Sequence, residues 1–438
     1  MMSELKVLRS AIFHCTENAG VVSACYFEDG LMVVEDGKIV EVGDYSNVIE
    51  KVGSGASITQ YKDSLIMPGF IDSHLHYPQY KIIASYGQNL LEWLEMFTFP
   101  EEQKFTDSGY AYDIGNLFFD ELIRNGTTTA MAFCTTHNNS VDAFFTIARE
   151  RNLRMAGGKV LMDRNAPSAI LDNENAYNDT RSLIDTWHNN GRLRYAITPR
   201  FAPTSTKQQL NKVSELLAEY PDSSDSNGVM LQTHLNESHE EIQWVKNLYP
   251  KNKNYFDVYD DCNLSGTNSV FAHCVHNSDE EYKRMSDTGS KVSICPNSNL
   301  FLGSGLFRFD KLEKHNLTAS LSSDVGGGDS FSMFNVMNQA YKVAKLNDYI
   351  LSPVKAFYLT TLAGAKVLNM DDCVGNFEKN KEADFIVLDL KATPIIEKRL
   401  ETVKNIEQLL FCLMTLGDDR LVSRVFSLGE CIYNKMEA

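Results

Sequence analysis

The sequence predicts an α/β protein: a (β/α)8 barrel of the TIM type over residues 68–371, joined to a small discontinuous β-sandwich domain made of residues 1–67 and 372–438. Three observations predict it. From residue 66 onward, short apolar strands alternate with segments of helical period, and eight such strands can be counted. The residues before and after that stretch instead carry short strands separated by turns. Finally, four of the eight strand ends hold histidine or carboxylate, at the rim where the catalytic groups of such barrels sit.

The leading segment is read as strands at 23–27, 31–34 and 39–43, broken at Glu28-Asp29-Gly30 and at Glu35-Asp36-Gly37-Lys38. Asp-Gly between apolar runs is the strongest short-range hairpin signal. The apolar run Leu65-Ile66-Met67 then reaches Pro68-Gly69, which marks the passage into the barrel. The first barrel strand ends at His74-Leu75-His76, and the others are expected over 127–135, 154–162, 193–201, 228–237, 269–275, 291–299 and 318–325. Helices are expected between them at 111–124, 141–151, 208–220, 278–286 and 307–315. Ser205-Thr206 and Ser278-Asp279-Glu280-Glu281 read as helix caps with acidic first turns. Two helices, 334–346 and 353–368, follow the last strand, and the chain closes with strands at 385–389 and 422–433. Gly326-Gly327-Gly328 lacks the lysine of a nucleotide-binding loop and is read as a loop that needs room.

Composition narrows the function. At 438 residues the chain exceeds one ordinary core unless that core is a large barrel. With 41 basic and 58 acidic residues the formal charge is −17, which repels polyphosphate and argues against nucleic acid or an anionic membrane as partner. No apolar run nears the roughly 20 residues that span a bilayer, and Met1–Lys6 lack the layout of a signal peptide. The nine cysteines are scattered with no C-x-x-C pair, so a zinc ribbon or disulfide framework is not indicated and a cytoplasmic setting is expected.

The rim residues carry the chemistry. Side chains alternate along a strand, so His74 and His76 face one way and Leu75 the other. Strand five brings His234-Leu235-Asn236-Glu237, strand six His273 and strand eight Asp324. Imidazole and carboxylate ligands of this kind suit zinc. His14, His188, His239 and His315 are placed in turns or on helices away from the rim, with His276 in a loop; His137, after strand two, is also read as structural.

The set His74-x-His76, His234-x-x-Glu237, His273 and Asp324 resembles the amidohydrolase superfamily, and within it the mononuclear zinc deaminases of nucleobases. The stretches His76-Tyr77-Pro78-Gln79, Leu91-Glu92-Trp93-Leu94 with Thr98-Phe99-Pro100, and Thr198-Pro199-Arg200-Phe201-Ala202-Pro203-Thr204 resemble the members that act on guanine. So do Asn125-Gly126-Thr127-Thr128-Thr129 and Gly158-Lys159-Val160-Leu161-Met162-Asp163. Small departures are Ser323, where threonine is usual, and Asn236, where cysteine is common.

The resemblance implies one Zn2+ per subunit on His74, His76, His234 and Asp324, with the pKa of its water lowered from 15.7 to about 7. It implies Glu237 as proton shuttle, Asp324 as acceptor of the water proton and His273 as the residue orienting the water. A closed, partly apolar pocket would move Glu237 towards neutrality. The expected substrate contacts are His76, Tyr77, Pro78, Gln79, Trp93, Arg200, Phe201, His234, Glu237 and Asp324. Among them, the fork of Arg200 matches O6 and N7 of guanine, Gln79 suits the N1/O6 edge, and Phe201 and Trp93 can stack on the ring. The reaction implied is guanine and water to xanthine and ammonia, by a homodimer.

Three other readings compete. A binuclear hydrolase would use a bridging lysine from strand four, but Lys159 falls on strand three and strand four ends in Arg200. A deaminase of another ring, such as 8-oxoguanine, cytosine, adenine or a triazine, would share the same rim. A metal-free scaffold would have lost ligands that are intact here. Deaminases built on H-x-E and P-C-x-x-C are excluded, since the chain has no P-C-x-x-C.

Overall fold

Eight parallel strands form the barrel in a computed structural model that describes residues 5–52, 56–87, 89–223 and 227–437. The parts of the expected terminal domain at 1–4, 53–55 and 438 lie outside the described residues. The chain enters through β1 (Leu5–Asn18), β2 (Val21–Glu35), β3 (Lys38–Asp44) and β4 (Ile58–Pro68). The barrel follows as β5 (Phe70–His76), β6 (Thr127–Phe133), β7 (Arg154–Gly158), β8 (Val160–Leu161), β9 (Arg194–Pro199), β10 (Met230–Leu235), β11 (Ser269–His273), β12 (Lys291–Ile294) and β13 (Ala319–Leu321). The chain ends in β14 (Phe385–Asp389), β15 (Val422–Ser427) and β16 (Glu430–Asn434).

The barrel sheet runs β13-β12-β11-β10-β9-β7-β6-β5, with β8 paired to β9. The strand expected over 154–162 is therefore two pieces, interrupted at Lys159. Beyond the ladder, the backbone N–H of Asp324 donates to the His74 carbonyl at 3.0 Å, and that of His76 donates to the Val325 carbonyl, drawing the last strand to the first. Ile71, Met131, Ala156, Ala196, Met230 and Val270, one from each of six strands, pack inside the barrel against the helix Leu362–Val367. Gly364 sits where a Cβ would meet the Ile71 Cβ at 2.8 Å, so only glycine lets that helix seat against β5. The helix expected over 353–368 is broken accordingly into Pro353–Leu359 and Leu362–Val367.

The strands of the two chain ends hydrogen-bond into a single seven-stranded sheet, β16-β15-β14-β4-β1-β2-β3, rather than two separately bonded layers. The turn expected at Glu28-Asp29-Gly30 is absent: β2 runs through it, and the register against β1 shifts there between Ser10 and Ile12. A Cβ at Gly30 would meet the Ile12 side chain at 2.7 Å, so this glycine serves a bulge against a neighbour and not a hairpin. The turn at Asp36-Gly37 forms as expected, both residues having positive φ. His14, placed in a turn or helix from sequence, lies buried within β1. Two helices unforeseen in the sequence, Pro394–Leu400 and Ile406–Leu416, interrupt the terminal strands. The second packs on the helix Met333–Leu346, where Phe411 meets Tyr341 edge-on at 5.0 Å.

Arg154 and Arg192, near the N-terminal ends of β7 and β9, converge on Glu382 with hydrogen bonds of 2.8 and 3.0 Å from their Nε atoms. Glu382 lies just ahead of β14, so this cluster links the terminal sheet to the N-terminal end of the barrel. The C-terminal rim, where the histidines are, is at the opposite end.

Candidate metal centre and adjoining cavity

All seven residues of β5 are buried. Leu75 joins the core outside the barrel, while the His74 ring packs edge-on against His76 and His234, centroids 5.1 and 4.8 Å away. Phe133, the last residue of β6, lies against both His74 and His76. Chain alternation past His76 turns Tyr77 outward. Its hydroxyl donates to the Ser140 carbonyl at 2.6 Å, and its ring packs among Phe105, Phe118 and Phe144. Tyr77 and Pro78 do not line the cavity, which corrects their expected place among the substrate contacts. Gln79 returns to the cavity wall because residues 77–82 form a 3-10 turn.

His234 is set by its neighbour strand. Its backbone N–H and ring Nδ1 both donate to the Arg200 carbonyl, at 3.3 and 2.7 Å. With Nδ1 so engaged, Nε2 turns its lone pair inward, 3.2 Å from the Nε2 of His76. Asp324 places Oδ1 3.2 Å from His74 Nε2 and 3.4 Å from His76 Nε2. Two ligand atoms about 2.0–2.1 Å from a tetrahedral metal stand roughly 3.3 Å apart, so these separations fit a coordinated divalent ion. The ligand atoms of His74, His76, His234 and Asp324 all lie within 4.8 Å of one another, and His74 Nε2 is buried with no protein partner.

Electrostatics agree with that fit. Burial lowers all three imidazoles, His76 to about 3, which keeps them neutral and able to ligate. Burial alone would raise Asp324, but the adjoining His74 and His76 outweigh that and hold the carboxyl well below the usual carboxylate range. Cys295 adjoins His74, His273 and Asp324. Burial pushes its thiol far up, so it stays protonated and does not compete as a ligand.

Strand ends that bend through left-handed backbone aim the remaining groups. Asn236 (φ 51°), His273 (φ 71°), Cys274 (φ 52°) and Asp324 (φ 51°) all do so. The turn at Asn236 lets Glu237, three residues after His234, face the same cavity. Ser304 donates to Glu237 Oε1 at 3.3 Å. Burial, and next the charge of Asp324, raise Glu237 well above the usual glutamate range, in the direction the sequence led us to expect. His273 donates from Nδ1 to Asn299 Oδ1 at 2.9 Å, leaving Nε2 3.5 Å from Glu237 and 3.7 Å from Asp324. Asp72 accepts the Ser323 hydroxyl and backbone N–H, which anchors the loop bearing Asp324 to β5.

Beside this cluster the cavity is lined by Leu90, Trp93, Leu94, Phe201 and Leu302 on its apolar sides. Gln79, Arg200, His76, His234, Glu237, His273 and Asp324 supply polar atoms, and Gly327 keeps one side open. A Cβ at Gly327 would come within 3.2 Å of Asp324 Oδ2, which bears out the reading of the glycine run as a loop needing room. Arg200 is buried and donates from Nη1 to both oxygens of Glu102, at 3.0 and 2.9 Å. Gln79 Nε2 donates to the same carboxylate at 3.1 Å. Glu102 escaped the sequence reading because an acidic residue just after Phe99-Pro100 looks like an ordinary first-turn helix charge. Asn299, Ser304, Leu90 and Leu302 carried no signal at all. Lys159 spends its ammonium on the Thr136 carbonyl and on Asn138 Oδ1, not on the cluster.

A family model described as the amidohydrolase family matches residues 65–431. The guanine deaminase of Escherichia coli (strain K12) is 44% identical over 437 residues, covering 98% of this chain and 98% of the relative. The solved structure of E. coli guanine deaminase superposes with a TM-score of 0.93 over 99% of this chain and 100% of that one. Guanine deaminase from C. acetobutylicum, solved with guanine bound in its active site, matches at 30% identity and a TM-score of 0.88, over 98% and 100%.

Proposed function

The chain belongs to the amidohydrolase family, and from that premise we propose that it hydrolyses guanine to xanthine and ammonia. It is a hydrolase of carbon–nitrogen bonds. The observation that carries the substrate is the juxtaposition of Glu237 and the His–His–His–Asp cluster with an Arg200–Gln79 wall in one apolar-sided cavity. In this reading a flat purine lies against Phe201 and Trp93, with polar groups at its edges.

One zinc ion per subunit, held by His74, His76, His234 and Asp324, would lower the pKa of a bound water to about 7 and so supply the nucleophile. Asp324 takes a proton from the attacking water, and His273 orients that water through Nε2. Glu237, which burial raises well above the usual glutamate range, donates a proton to the purine nitrogen beside C2 as the oxygen adds to that carbon. It then takes the proton of the new C2 hydroxyl and passes it to the amino group; the C2–N bond breaks to release ammonia, and the water proton held by Asp324 restores Glu237. Arg200 and Gln79 hold the far edge of the base.

The free state of all nine cysteines supports a reducing, cytoplasmic setting, and among the described residues no helix is long and apolar enough to cross a membrane. A homodimer completes the reading, by family resemblance. The test is ultraviolet absorbance on mixing the protein with guanine, 8-oxoguanine, adenine or cytosine. Guanine should be turned over at least a hundredfold faster than the others. Preference for another base would replace the substrate while leaving the chemistry in place.

A further inference from the structure

Glu102 touches two side chains of the cavity wall at once, and all three are almost wholly buried: Glu102 1%, Gln79 1% and Arg200 2% exposed. A carboxylate paired with a guanidinium offers only acceptors. The end of the Gln79 amide that faces it must therefore be the NH2, which donates to Glu102 Oε1 at 3.1 Å. Which way an amide points is commonly ambiguous; here the chemistry of its partner decides it. The other end, Gln79 Oε1, is buried without a hydrogen-bond partner. A buried acceptor left unpaired costs free energy until a ligand pairs it.

We propose that Glu102 is a positioning residue that locks Gln79 as a hydrogen-bond acceptor beside the donor Arg200, so that the cavity demands a purine with a 6-oxo group and an N1–H. The proposal rests on the reading of the cavity as a guanine site. It sharpens the expectation that Gln79 reads the N1/O6 edge by donor and acceptor together: only the acceptor is available. Guanine presents a donor at N1 and an acceptor at O6, the complement of Gln79 Oε1 and Arg200. A 6-aminopurine presents an acceptor at N1 and a donor at C6, which sets acceptor against acceptor and donor against donor. A site built around fixed polar groups rejects the mismatched analogue far more strongly than an apolar pocket can.

The test compares wild type and Glu102→Gln on guanine and on 2,6-diaminopurine, which carries the same 2-amino group but the opposite N1/C6 pattern. Wild type should favour guanine at least a thousandfold in kcat/KM. In Glu102→Gln the amide of Gln79 is free to turn over. The guanine KM should then rise at least tenfold, by more than kcat falls, and the preference should narrow at least tenfold. An unchanged preference in a folded, guanine-active variant would overturn the proposal, as would a wild type that deaminates both bases alike. Equal loss on both bases would also overturn it, leaving Glu102 a merely structural role. Should Glu102→Gln fail to fold, Gln79→Met, which has neither acceptor nor donor, should narrow the preference by the same factor; a retained preference there overturns it too. A wild type inactive on guanine, by contrast, would fail the functional reading itself.

Discussion

Glu237 shows what burial does to a carboxyl proposed to give and take protons. Enclosed beside Asp324 and held by one long hydrogen bond from Ser304, it is raised well above the usual range. Its neighbour Asp324, tied to His74 and His76, is driven the other way. Opposed shifts in adjacent carboxyls fit the proposed division into acid and base. Glu237→Gln should therefore lower kcat for guanine by about 10^2 to 10^4 while bound metal per chain, measured by elemental analysis, stays at the wild-type value. Of the site's residues, the cluster of His74, His76, His234 and Asp324 was legible because strand alternation and barrel topology predict where such side chains meet. Tyr77 was not: the chain leaves β5 in a 3-10 turn, and the residue next to His76 points into the phenylalanine core. Glu102 was not legible either, because its partners Arg200 and Gln79 are 98 and 23 residues away in sequence.

At the scale of elements, periodicity located the barrel strands but not their internal breaks. β7 and β8 part at Lys159, whose side chain turns aside to Thr136 and Asn138, and an apolar run gives no warning of that. The helix Leu362–Val367 depends on a close approach that no pattern of hydrophobicity reveals. Gly364→Ala would push a methyl against the Ile71 side chain, and should destabilise the protein by about 1–3 kcal/mol, read as a lower denaturation midpoint. In β1, burial lowers His14 to about 4, from an ordinary value near 6.5. The folded state thus favours the neutral ring. Its contribution to stability is complete above pH 6.5 and is lost as pH falls towards 4, because the unfolded chain takes up the proton first. The full effect is about 3 kcal/mol. In His14→Leu, the drop in unfolding free energy between pH 7 and pH 4 should be smaller than in wild type by about that amount, as measured by denaturant titration. An equal drop would place the acid sensitivity elsewhere.

For the whole molecule, the terminal sheet and the rim occupy opposite ends of the barrel. Arg154, Arg192 and Glu382 fasten the sheet at the N-terminal end, which leaves the C-terminal end free for loops that build the site. The four residues proposed to hold the metal come from β5, β10 and the segment after β13, so an ion bound there would tie the first strand to the last and both to the middle of the barrel. The alternation of strands and helices predicted this architecture. The two helices at Pro394–Leu400 and Ile406–Leu416 went unseen because the expected terminal domain was read as strands alone.

One metal ion, held by His74, His76, His234 and Asp324, is proposed to make guanine hydrolysis possible here. Titrating the chelator-stripped protein with zinc, while following guanine by its ultraviolet absorbance, tests it most directly. Activity should be absent without metal, rise linearly and level off at one equivalent per chain. A plateau at two equivalents, or guanine turnover that ignores the metal, would contradict it.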